Sequence, residues 1–315
     1  MRTSHAVSAA LLGAVLALPA AAQNMSGAAA KGPQAVYVVD VGNQTGLLVG
    51  LDGLPPIVAS ASGAAKAPSG PMPGSPVPAT LMLHAGVGLP APFYQWVSAG
   101  TNGSAQRMTL GLRGVDTGGH YGEVALLSDA SVSYVEVPAL DILSTAPMSL
   151  GVKVQGVLRI EPPGKAPTLQ QVSQLATRLA AVRWLVSGFH FAVGKLDTSG
   201  VRRVESFVVK PGGALTLNLT MNDPAAHAFA TLAPKPPPGA RPLVKQPPPP
   251  PVDAQLQLVT ATGQVQAIIE LHEMRVVSAQ RGSAQDRATG AGVVANHVTV
   301  TAQQARLVFT PQIAQ

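Results

Sequence analysis

TLMLHAGVGLPAPFYQWV (Thr80 to Val97) and TLNLTMNDPAAHAFATLA (Thr216 to Ala233) read as one pattern written twice, Thr80 answering to Thr216. In each, apolar and polar residues alternate along a strand, and a proline then opens a short helical stretch. Period two sends alternate side chains to opposite faces of a strand, and proline is tolerated in a first helical turn because its N–H has no intrahelical partner. Three further stretches keep the order. TLGLRGVDTGG (Thr109 to Gly119) is echoed by QLQLVTATGQ (Gln255 to Gln264), and Val152 to Ile160 by Val298 to Val308, both pairs at the same spacing. GLLVGLDGLPPIVASASG (Gly46 to Gly63) corresponds in position and length to FHFAVGKLDTSGVRRVESFVVK (Phe189 to Lys210). Self-similarity in fixed order marks a duplicated unit.

Working outward, AVYVVDV (Ala35 to Val41), EVALL (Glu123 to Leu127), SVSYVEV (Ser131 to Val137) and LGVKVQGVLRI (Leu150 to Ile160) also alternate, with Gly, Asn, Asp and Pro between them. No strand–helix alternation of the parallel type appears. The reading is mainly β: two tandem antiparallel β-barrel or sandwich domains, each with a short helix. In TLQQVSQLATRLAAVRWLV (Thr168 to Val186), Val172, Leu175, Leu179, Val182 and Val186 fall on one stripe, which predicts an amphipathic helix between the domains. The first domain is therefore 23–163, the linker helix 164–187 and the second domain 188–315. Pro55 to Pro78 holds seven prolines and Pro234 to Pro251 ten, so both are read as extended loops rather than central strands.

Residues 1–22 read as a cleavable export signal: Arg2, an apolar run from Ala6 to Leu18, then Pro19 and Ala20-Ala21-Ala22 before Gln23. A periplasmic or secreted protein is expected. No later segment is long and apolar enough to predict a membrane-spanning helix. With no Cys among 315 residues, disulfides, thiolate nucleophiles and sulfur-ligated metals are excluded. The net charge of +6 is spread thinly, Arg202-Arg203 being the one adjacent basic pair in the mature chain, so nucleic acid is not expected as a partner.

Chemistry is sparse. His5, His84, His120, His190, His227, His272 and His297 show no paired-ligand spacing, and no metal or cofactor site is predicted. Asp116 and Glu123, with His120, are the nearest approach to a hydrolytic set, and turn chemistry accounts for Asp116 more simply. Phe93, Tyr94 and Trp96 suit either the plug of a β core or a sugar-stacking platform.

Three stretches resemble the tail-tube proteins of contractile phages and the related tube proteins of type VI secretion (Hcp). FYQWVSAGTNGSAQ (Phe93 to Gln106) is similar to the family's aromatic helix end and polar loop. LSDASVSYVEVPALDILSTAPMSLGVKVQGVLRIEP (Leu127 to Pro162) resembles its strand pair with a Pro-x-Leu-Asp corner. RWLVSGFHFAVGKLDTSGVRRVESFVVK (Arg183 to Lys210) resembles the start of a second unit, which has no counterpart of the Pro138–Asp141 corner. The resemblance implies small antiparallel barrels with a flanking helix, subunits that stack as rings, and structural or assembly roles for Phe93, Tyr94, Trp96, Pro138, Asp141 and Trp184. The expectation is a non-enzymatic, exported structural protein that associates with itself through sheet edges. The alternative is a periplasmic or secreted β-sandwich that binds a ligand such as a glycan.

Overall fold

The computed structural model of the chain describes residues 36–54, 75–86, 88–115, 121–144, 147–161, 184–233, 250–285 and 292–310. The predicted export signal, most of both proline-rich stretches, Asp116, His120 and the predicted linker helix up to Arg183 lie outside the described residues.

The architecture is mainly β, as the alternation predicts. In the first half, β1 (Val36–Val41), β2 (Gln44–Leu48), β3 (Gly50–Asp52) and β4 (Val77–Ala85) lead to α1 (Ala91–Thr101). β5 (Met108–Val115), β6 (Tyr121–Val137), β7 (Leu140–Asp141) and β8 (Leu150–Glu161) follow. The first sheet runs β2-β1-β5-β6-β8-β4-β3, with every pairing antiparallel. Its two ends, β2 and β3, are separated in sequence by Val49 alone. One bent strand therefore joins β1 to β4 and rolls the sheet toward a barrel, held where Leu47 N donates to Gly88 O and Val49 N to His84 O. Gly46 is required there, because a Cβ would lie 2.6 Å from Pro90 Cδ. Pro78, read as part of a loop, pairs within β4 opposite Val157. That end of β4 lies beyond the reach of β3, which pairs only with Met82–His84, so it is an edge where a missing N–H is tolerated.

The second half comprises β9 (Val186–Val193), β10 (Val201–Val204), β11 (Phe207–Val209), β12 (Leu215–Met221) and α2 (Asp223–Ala230). β13 (Val252–Thr260), β14 (Val265–Gln285), β15 (Gly292–Ala302) and β16 (Gln304–Phe309) complete it. Its sheet runs β7-β10-β12-β15-β14-β13-β9, with β16 on β14. Read from β9 to β10, this repeats the β1-β5-β6-β8-β4-β3 order of the first sheet, with β7 borrowed and no counterpart of β2 among the described residues. Leu81 faces Val154 and Leu217 faces Val300, so the matches of Thr80 with Thr216 and of Val152 with Val298 hold in the sheets. Both helices carry proline at their second position, Pro92 and Pro224, and Asn222 caps α2 by accepting from Ala225 N at 3.1 Å.

Three details differ from the sequence reading. Val39 faces Leu112 and Phe191 faces Leu256, so β9 answers to β1, and the match of Gly46–Gly63 with Phe189–Lys210 does not hold. Leu112 faces Ala125, and Leu256 faces Ile269, so Leu112 answers to Leu256, whereas matching Thr109 with Gln255 sets it against Leu258. A slide of two positions preserves which face each side chain occupies, and alternation cannot detect it. The predicted helical stripe also ends early: Trp184 and Leu185 are non-helical, and Val186 opens β9 opposite Thr260. There, sheet pairing and burial of Trp184 override the local period.

One apolar cluster spans both halves, from Val39, Leu81, Leu112 and Val154 to Phe191, Leu217, Leu256, Val300 and Phe309. Two strands are exchanged across it. β7 pairs with β10 through Leu140↔Val204 and Asp141↔Arg203, while β11 pairs with β6 through Phe207↔Val137 and Val209↔Val135. Each half thus completes the other's sheet.

Candidate functional site

The candidate residues fall into two groups by position. Phe93, Tyr94, Trp96 and Trp184 are buried, each at most 1% exposed. Phe93 meets Tyr94 and Trp96 edge-on at centroid distances of 6.0 and 5.8 Å. Tyr94 stacks on Trp184 at 6.4 Å, and both pack on Phe309, at 4.9 and 5.7 Å. The cluster is therefore a joint: α1 of the first half is pressed against β16 and the entry to β9. Ser98 Oγ adds a hydrogen bond to Leu307 O at 2.8 Å. Both indoles are fixed by carbonyls, Trp96 Nε1 by Gln106 and Trp184 Nε1 by Met148. Burial leaves none of these rings free to stack on a sugar. Burial of Tyr94 also pushes its phenol well above the ordinary tyrosine range, the Leu89 backbone opposing weakly.

Pro138 and Asp141 lie elsewhere, at the corner where β6 gives way to β7. Pro138 cannot extend the ladder of β6, and the chain turns so that Leu140, 3% exposed, enters the second half's core. Asp141 Oδ1 accepts from Leu143 N at 2.8 Å, and Ile142 N donates to Arg202 O at 3.1 Å. The corner is thus a hook on the edge strand β10. Sequence reasoning singled out this corner without finding its partner, and it missed Phe309 in the aromatic joint.

Beside the hook is a groove of about 530 Å³. It is lined by Ser187 to Phe191 of β9, by Thr198, Ser199 and Val201, and by Ile142 and Ser144, with Thr198 Oγ1 donating to Phe191 O. Val259 and Thr260 contribute from β13. Phe189 and Phe191 turn their rings into the core, 5% and 4% exposed, so the strand edge itself faces the groove. His190, exposed, is the one titratable side chain among the described lining residues.

The remaining polar groups stay dispersed. His84 Nε2 lies 2.7 Å from Asp52 Oδ2, and His272 lies 3.7 Å from Asp253 and 3.6 Å from Glu270. Among the described residues no three His, Asp or Glu come together as a metal-binding group. Among them also, no helix is long and apolar enough to cross a membrane. No protein-family model matches the chain, and no curated protein matches it.

Proposed function

We propose that this chain is an exported, non-enzymatic structural protein, resembling phage and type VI secretion tube subunits, that associates with copies of itself through sheet edges. The observation that carries this reading is the strand exchange. β7 on β10 and β11 on β6 are edge additions between two copies of one unit, joined covalently here, and the same chemistry serves between chains. A second edge supports it. Val135–Val137 of β6 hold β11, whereas the equivalent positions of β14, Ala279–Arg281, pair only with β15 among the described residues. Val277, 59% exposed, lies on that strand. Light scattering on the eluting mature protein, Gln23 to Gln315, followed by negative-stain imaging, tests this. Rings or stacks of regular diameter are expected, and a monomer at high concentration overturns assembly. Mass spectrometry of exported protein should give Gln23 as the first residue.

The alternative, a ligand-binding module, is favoured by one observation, the groove beside β9. With Trp96 and its neighbours buried, a ligand site belongs there rather than on the aromatic cluster.

A further inference from the structure

Asn102 and Gly103 form the one Asn-Gly pair in the chain, and both are exposed where α1 ends. The ending is a Schellman turn, in which a left-handed glycine closes the helix and the last carbonyls accept from amides beyond it. Gly103 has φ 85°, Gly103 N donates to Gly100 O at 3.1 Å, and Ser104 N donates to Ala99 O at 2.9 Å. Asn102 N itself donates to Ser98 O at 3.0 Å. At this peptide bond, chemistry and conformation oppose each other.

The chemistry favours ring closure. The amide nitrogen of Gly103 attacks Cγ of the Asn102 side chain and gives up its proton, and the side-chain nitrogen leaves as ammonia. The product is a five-membered cyclic imide. Water then opens it at either carbonyl, to aspartate or to isoaspartate, in which the backbone runs through the former side chain. Glycine puts no side chain against the ring, and nothing lies within 4 Å of where a Gly103 Cβ would stand.

The fold resists it. Closure needs Cβ of Asn102 and N of Gly103 eclipsed about the Cα–C bond. Asn102 has ψ 9°, so its own backbone N takes that eclipsed place and Cβ stands far to one side. Rotation into the reactive form swings the Gly103 N–H away from Gly100 O and carries Ser104 with it. Opening of the turn therefore has to precede reaction, and element ends open locally at lower free energy than the core.

The place of the turn gives the reaction a consequence. Thr101, buried, accepts through its carbonyl from Gly212 N of the second half at 3.1 Å. One turn back, Ser98 Oγ donates to Leu307 O at 2.8 Å. The last turn of α1 is thus part of the joint between the halves.

We propose that Asn102 is a modification site, converting to aspartate and isoaspartate through the imide when the last turn of α1 opens, and that the product loosens the joint. Either product places a carboxylate at a helix C-terminus, where the helix dipole disfavours it. Isoaspartate also adds a carbon to the backbone, which takes the Gly103 and Ser104 amides out of register with their carbonyls.

The test keeps the mature chain warm at neutral pH and follows residue 102 by peptide mapping. Product should accumulate about tenfold or more slowly than in a capped peptide copying Ser98 to Arg107, and at the peptide's rate once the chain is unfolded in urea. Ser104→Pro, which removes the donor to Ala99 O, should speed conversion in the folded chain. Asn102→Gln, whose ring would be six-membered, should stay intact over the same time. The modified fraction, separated by its added negative charge, should melt below the parent, with the Gly212 amide losing exchange protection. Conversion in the folded chain as fast as in the peptide, no conversion in the parent or in Ser104→Pro, or an equal rate in the two overturns the site. Melting and Gly212 protection equal to those of the parent overturn the loosened joint.

Discussion

Asp129 and Glu273 are the two non-glycine residues with positive φ among the described residues, at 50° and 53°. They hold equivalent positions in the two halves, each in a bulge of the long strand, where Met108↔Ala130 gives way to Leu110↔Leu127 and Val252↔Met274 to Ala254↔Leu271. A left-handed backbone costs a residue with a Cβ about 1–2 kcal/mol, part of which glycine returns as chain entropy. Asp129→Gly and Glu273→Gly should each stabilise the fold by about 0.5 kcal/mol, read as a Tm higher by about 1–2 °C. Tyr94 gives a pH signature. Its folded pKa is raised by burial, so its stabilising contribution is complete below the unfolded value of about 10 and declines as pH rises past it. Alkaline unfolding should therefore set in sooner in the parent than in Tyr94→Phe, with the Tyr94 absorbance change coinciding with loss of circular dichroism. None of this was legible in sequence: both bulge residues look like ordinary surface carboxylates, and a buried phenol is chosen by tertiary packing.

Among the elements, β11 is three residues long and β7 two, yet each closes a sheet it does not belong to by sequence. Val208 faces Glu136 across the β11–β6 ladder. Val208→Pro sets a fixed φ and a ring into the middle of β11 and should destabilise by about 1–3 kcal/mol. Hydrogen exchange would localise the damage: amides of Val135–Val137, far away in sequence, should lose protection along with β11. Loss of protection confined to residues 201–221 would refute the exchange. The strands β4, β5, β8, β12 and β13 and both helices could be read from alternation and proline placement, because burial on one face imposes a period. β7 and β11 could not, since two or three residues carry no period. The groove left one faint signal, Asp197-Thr198-Ser199-Gly200, turn formers standing where the first half has Thr45-Gly46-Leu47-Leu48.

At the scale of the whole molecule, residues 34–315 behave as one compact unit, with a single apolar cluster and two exchanged strands. Thermal unfolding should be one transition with equal calorimetric and van't Hoff enthalpies, and two separable transitions would argue for independent halves. Residues 23–163 and 184–315 expressed separately should each fail to give dispersed amide spectra, while mixing them should restore the spectrum of the intact chain. The exchange also has a meaning for descent. A doubled gene ordinarily leaves one copy free to drift or be lost. Here each copy has become part of the other's sheet, so deletion of either would strip an edge from the survivor. The duplication has become irreversible, and the contacts that hold the copies together, β7 on β10 and the aromatic face of α1, are themselves places where the copies have diverged.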